Sequence, residues 1–135
     1  MQPDPERLLR VPIFAGLSNR ERTRLSSWLD VEELEQGTYL AHAGASEYQF
    51  LILDEGRAHV EHDGRTVATL ERGDVFGEMA FFGDGRRSAD VVADTYVRVL
   101  VMYGSRFRQM QAAMPDIAAR LEELARARSE GRSEG

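Results

Sequence analysis

Arg57-Ala58-His59-Val60-Glu61-His62-Asp63-Gly64-Arg65-Thr66-Val67-Ala68-Thr69-Leu70 is the stretch that decides the architecture. Asp63-Gly64 stands between Val60 and Val67, and a two-residue hairpin turn needs positive φ at both central positions, which Gly adopts freely and Asp tolerates. Two antiparallel strands, Arg57–His62 and Arg65–Glu71, follow from it. Outward from this hairpin the same short period continues, predicting strands at Val31–Leu34, Thr38–Ala41, Phe50–Asp54, Ala89–Ala93 and Val97–Val101. Gly37, Gly44, Gly56 and Gly73 punctuate them. Many short strands at this spacing predict a barrel or sandwich; a parallel sheet would need crossover helices for which residues 31–102 have no room. The fold class is therefore α+β and mainly β, an antiparallel β-roll or jelly-roll barrel with helices at both ends.

The flanks change period. Leu8 and Leu9 lie in a short Arg-flanked helical segment that Pro12 breaks before Gly16. Ser18-Asn19-Arg20-Glu21 is a capping-box pattern, in which the Ser18 hydroxyl accepts from the Glu21 amide and the Glu21 carboxylate reaches back. Leu25, Trp28 and Leu29 predict the apolar face of the helix that follows, with Phe14 and Leu17 packed beneath it. At the other end Phe107, Met110 and Met114 recur at helical spacing, Pro115 interrupts, and Ile117, Leu121 and Leu124 resume the face. Pro115 suits the first turn of a second helix, where its missing amide costs little. Residues 1–128 read as one domain, and 129–135 as a polar, disordered tail with nothing to bury.

Composition excludes several classes of function. The 135 residues carry 17 basic and 23 acidic side chains, a formal charge of −6, so the chain lacks the clustered positive surface that direct nucleic-acid binding requires. All 17 basic residues are arginine, which excludes a lysine Schiff base, and the absence of cysteine excludes disulfides, thiolate nucleophiles and cysteine metal sites. No signal-peptide pattern and no apolar run of about 18 residues is present, so membrane insertion is not expected and the chain reads as cytoplasmic.

One segment does not read as barrel packing: Gly73-Asp74-Val75-Phe76-Gly77-Glu78-Met79-Ala80-Phe81-Phe82-Gly83-Asp84-Gly85-Arg86-Arg87-Ser88-Ala89-Asp90-Val91. Glu78–Phe82 can make one tight helical turn whose free amides face an anion. The glycines around it let backbone approach a ligand closely. Arg87, just before a strand, can aim its planar guanidinium at a phosphate held against those amides, with Arg86 as a solvated neighbour.

The segment resembles the phosphate-binding cassette of the cyclic-nucleotide-binding domain family: Phe-Gly-Glu, a short helix, then Arg-Ser/Thr-Ala. Phe76-Gly77-Glu78 and Arg87-Ser88-Ala89 match that pattern, and the resemblance spans residues 8 to 128. The upstream stretch from Gly44 to Gly56 is similar to the family's glycine-bounded approach to a strand, except that Glu47 and Tyr48 replace its second Gly-Asp pair. The resemblance implies a β-roll sensor domain of the bacterial cAMP-receptor type, without a DNA-binding module, that binds a cyclic purine mononucleotide, cAMP ahead of cGMP. It implies that Glu78 accepts from the ribose 2′-hydroxyl. Arg87 would neutralise the cyclic phosphate with Ser88 and amides near Gly77, Met79 and Ala89. Val60 and Leu70 are candidates for the base pocket, and Leu121, Leu124 and Arg128 for a lid carried by the C-terminal helix, hinged near Phe107 to Met114. The partners implied are the nucleotide and an effector, fused or separate, with a homodimer through the last helix as an option. The alternative is a degenerate module that has lost its ligand and serves a transporter, channel or enzyme by protein contact.

Enzymatic chemistry is not expected. Hydrolysis of a cyclic phosphate needs a metal pair or a general base at phosphorus, and the cassette supplies neither. His59 and His62 face opposite sides of one strand and, with His42, make no metal triad. Glu32, Glu33 and Glu35 read as a solvated edge, and Asp84 as a turn residue.

Overall fold

The computed structural model describes residues 1–44, 48–82 and 89–134, with side chains to Ser129 apart from that of Ala80. Among these residues eight strands form two antiparallel sheets: β1 (Asp30–Leu34), β2 (Tyr39–Ala41), β3 (Gln49–Glu55), β4 (Ala58–His62), β5 (Arg65–Leu70), β6 (Val75–Phe76), β7 (Asp90–Ala93) and β8 (Val97–Tyr103). One sheet runs β1-β8-β3-β6 and the other β2-β7-β4-β5. The mainly β roll with flanking helices is the architecture expected. The β4–β5 turn has φ of +52° at Asp63 and +75° at Gly64, as a two-residue hairpin demands. Strand β6 was not anticipated, because two residues, Val75 and Phe76, are too few to show a period; it forms by pairing with Ile52 and Leu51.

Helices close both ends. Residues Pro5–Arg10 and Pro12–Phe14 form 3-10 turns, followed by α1 (Asn19–Ser26). The Ser18–Glu21 capping box forms with both bonds made, at 3.0 and 3.1 Å. Trp28 and Leu29 fall beyond the end of α1, so the apolar face expected of one helix is split between helix and turn. Ser27 ends the helix by bonding its amide to Arg24 and Leu25 carbonyls, and Leu29 still reaches the core. After β8 come α2 (Gly104–Ala113) and α3 (Pro115–Glu134), with Pro115 at the first position of α3. The α3 backbone continues through 129–134, past the point where the sequence reads as a tail. Up to residue 128 the helix is rich in the strong helix formers Arg, Glu, Ala and Leu, and Arg126 pairs with Glu122 and Glu123.

Two apolar clusters explain the continuous apolar run Phe50-Leu51-Ile52-Leu53. Phe50 and Ile52, with Leu100 and Met102 of β8, pack under the helices against Leu8, Phe14, Leu25, Phe107, Met110 and Leu121. Leu51 and Leu53 point the other way, into a cluster between the sheets with Leu40, Leu70, Phe76, Val91, Val97 and Val99. A strand buried on both faces loses the apolar–polar alternation. Leu9, paired with Leu8 in the sequence, is 64% exposed because the 3-10 turn buries only its neighbour.

A charged clamp joins β4 to the β7–β8 turn. His59 Nδ1 lies 2.5 Å from Asp94 Oδ1, and Nε2 lies 2.7 Å from Glu61 Oε1. Both ring nitrogens donate only in the imidazolium form. Hydrogen bonds donated to Glu61 and then to Asp94 accordingly raise the His59 pKa above its ordinary 6.5. A raised folded-state pKa means stabilisation that is complete below the unfolded value and lost as pH climbs through the folded one. The melting-temperature difference between the parent and His59→Gln is thus expected to be largest between the carboxylate range and pH 6.5 and to shrink above it. A difference that stays flat across that window in thermal melts would contradict the clamp.

Candidate functional site

Strand β6 delivers the chain to Gly77, whose φ of +92° lies in the left-handed region that glycine adopts without strain. The backbone reverses there into the 3-10 turn Glu78–Phe81, closed by the Phe82 amide donating to the Met79 carbonyl at 3.3 Å. The helical turn expected over Glu78–Phe82 is present, one residue shorter. Met79 is half-buried on it. Ala89, also half-buried, leads into β7.

Glu78 is the chemical centre. Its side chain is 1% exposed, rare for a carboxylate, since an ionised carboxylate out of water is costly until paired. Oε1 accepts from Arg128 Nη1 at 2.7 Å, an ion pair made across 50 residues from the last helix. Oε2 is buried with no hydrogen-bond partner among the described residues. A donor brought by a ligand would satisfy it. The other buried carboxylate, Asp54, also has an oxygen, Oδ2, without a hydrogen-bond partner among the described residues, but that oxygen lies between Arg7 at 3.7 Å and Arg98 at 3.8 Å, and burial raises the Asp54 pKa. It belongs to a surface network with Glu55 that ties the N-terminal turn to β3 and β8.

The other residues singled out from sequence fall into three groups. Arg128, a lid candidate, reaches the cassette directly through Glu78. Leu121 is fully buried and Leu124 partly buried, both in the cluster beneath the helices. Leu70 is buried in the cluster between the sheets, with Val60 packed half-buried against it. Arg87 and Ser88, with Arg86 and Asp84, lie outside the described residues, as does Glu47.

Sequence reasoning passed over the aromatic side of the turn. Phe81 stacks on Phe107 of α2 with ring centroids 3.9 Å apart and planes within 10°, and Phe82 meets the same ring edge-on at 6.0 Å. The adjacent aromatics 81 and 82, next to the Gly-Glu pair, were the available signal. They fasten the cassette to α2 as Arg128 fastens it to α3. No group of three or more His, Asp or Glu among the described residues could hold a metal ion, and none of their helices is long and apolar enough to cross a membrane.

An antiparallel β-roll capped by helices, with a glycine-initiated turn presenting one buried carboxylate, defines a ligand-binding regulatory module. Residues 31–113 match the family model "Cyclic nucleotide-binding domain", and the chain belongs to that family, a non-catalytic binding module rather than an enzyme. Over 111 residues it is 33% identical to the cAMP-dependent protein kinase regulatory subunit of Yarrowia lipolytica, covering 81% of this chain and 30% of that one. Among solved structures, the catabolite activator protein of Thermus thermophilus superposes with a TM-score of 0.80 at 28% identity, covering 91% of this chain and 61% of that one. The regulatory domain of Toxoplasma gondii PKA, crystallised with cAMP, gives 0.78 at 25% identity, covering 93% and 48%. The chain spans 25–30% of the length of the first curated relatives it matches.

Proposed function

We propose that residues 1–128 bind a cyclic purine mononucleotide, cAMP in preference to cGMP, and pass its occupancy to an effector through α2 and α3. The Oε2 of buried Glu78, which has no hydrogen-bond partner among the described residues, carries this reading. A ribose 2′-hydroxyl is a neutral donor of the kind that oxygen lacks, and it can bind without displacing Arg128 from Oε1. Arg87 and Ser88 take the cyclic phosphate, with backbone amides near Gly77, Met79 and Ala89. The base lies toward the apolar side of the roll, where Val60 and Leu70 sit. The relatives named for cAMP support the ligand, and the preference over cGMP rests on them.

Signalling is a population shift. The turn is joined to α2 through Phe81 and Phe82 and to α3 through Arg128, so a ligand that favours one position of the turn favours one packing of both helices. Leu121 and Leu124 repack as α3 moves. A cytoplasmic effector, on the same chain or another, reads that change, and a homodimer through α3 is one arrangement that would transmit it.

Calorimetric titration with cAMP, cGMP and noncyclic AMP tests the proposal. The parent should bind cAMP with a Kd of about 10⁻⁷–10⁻⁵ M, equivalent to about 7–10 kcal/mol, and noncyclic AMP far more weakly. Glu78→Ala should weaken cAMP about tenfold, as loss of one charged hydrogen bond predicts. No heat from any nucleotide at millimolar concentration would replace this reading with a ligand-independent interaction module.

A further inference from the structure

Tyr48 sits where the chain enters β3, at the far end of the β3–β8 ladder, whose last pair is Gln49 with Tyr103. The next residues outward, Tyr48 and Gly104, lie side by side: a methyl group added at Gly104 would stand 3.3 Å from Tyr48 Cβ and 3.9 Å from Phe81 Cε1. The Tyr48 ring meets Phe81 edge-on, with centroids 6.0 Å apart and planes at 64°. Phe81 thus has Tyr48 at its edge and Phe107 against its face.

We propose that Tyr48 is a positioning residue of the nucleotide site, a wedge that holds the Glu78–Phe81 turn in its ligand-competent place. This rests on the nucleotide-binding reading above. Phe81 follows Glu78 by three residues, one full 3-10 turn, so whatever fixes the Phe81 ring fixes the Glu78 carboxylate. Tyr48 is 48% exposed and belongs to neither apolar cluster, so its removal opens no core cavity. It bears on the turn rather than on the roll. When the competent position is only partly populated, apparent affinity falls by that fraction, and a wedge that raises the population raises affinity without touching ligand.

The full chain is compared as parent, Tyr48→Ala and Tyr48→Phe by amide hydrogen exchange without ligand and by cAMP titration. An edge-on aromatic pair predicts that Tyr48→Ala speeds exchange across residues 78–82 and raises the cAMP Kd, each by about three- to tenfold. Exchange in the β3–β8 ladder and the urea midpoint should stay at parental values, and Tyr48→Phe should restore both changed quantities. Unchanged exchange across 78–82 in Tyr48→Ala overturns the wedge, as does faster exchange with an unaltered Kd. A parent that binds no cAMP overturns the nucleotide reading instead, while the exchange comparison still decides whether Tyr48 holds the turn.

Discussion

Arg87→Ala is expected to weaken cAMP binding by roughly 30-fold to several thousand-fold, the range that follows from losing a desolvated, hydrogen-bonded charge partner worth about 2–5 kcal/mol. This should exceed the loss from Glu78→Ala. In the proposed complex Arg87 would meet the full negative charge of a cyclic phosphate, whereas Glu78 would meet a neutral hydroxyl, and deleting Glu78 would also remove a carboxylate from the neighbourhood of an anion. Ser88→Ala should be milder than either, changing the cAMP-to-cGMP ratio only where that hydroxyl touches the base. Titrations of both nucleotides against the three variants, with far-UV circular dichroism to confirm folding, give the ranking. A folded Arg87→Ala protein with parental affinity would sink the cassette assignment.

Phe107→Ala should be the most damaging single truncation in the helical half of the molecule, lowering stability by about 3–5 kcal/mol in urea unfolding. The ring is fully buried and touches Phe50 of β3 at 6.3 Å and both aromatics of the cassette turn. Its removal leaves a cavity where sheet, α2 and cassette meet. Phe107→Leu retains most of the volume and should cost about 1–2 kcal/mol. The paired variants separate packing from coupling: Phe107→Leu should keep the fold while loosening the link between the turn and α2. Exchange across residues 78–82 should then rise. Equal stability of Phe107→Ala and parent would mean the three-ring junction is not part of the core.

The hairpin, the capping box and the helix break at Pro115 were legible because each is written in residues a few positions apart. Asp63-Gly64 adopts positive φ at both positions wherever it closes two strands, and Ser18 reaches Glu21 by helical geometry alone. The apolar periods likewise placed seven of the eight described strands to within two residues at either end. The helical turn after Gly77 was readable for the same reason, as one tight turn over Glu78–Phe82, whereas the left-handed reversal at Gly77 that starts it emerged only in the structure. Those local signals stop where a contact depends on how the chain closes.

Arg128 could be named from sequence as a lid residue, but its partner could not: Glu78 is 50 residues away, and only the return of α3 over the cassette brings the two to 2.7 Å. His59 reads as an ordinary strand histidine until the β7–β8 turn places Asp94 on one ring nitrogen while Glu61 takes the other. Tyr48 departs from its family's pattern without a visible purpose until Phe81 and Gly104 are set beside it. The sequence by itself determined the β-roll, its helical ends and the cassette turn, because turn angles and side-chain periods are properties of neighbouring residues. The tertiary structure alone decided that the turn's carboxylate is buried with one oxygen paired and one without a partner among the described residues, because burial and pairing depend on which distant surfaces the folded chain presses together.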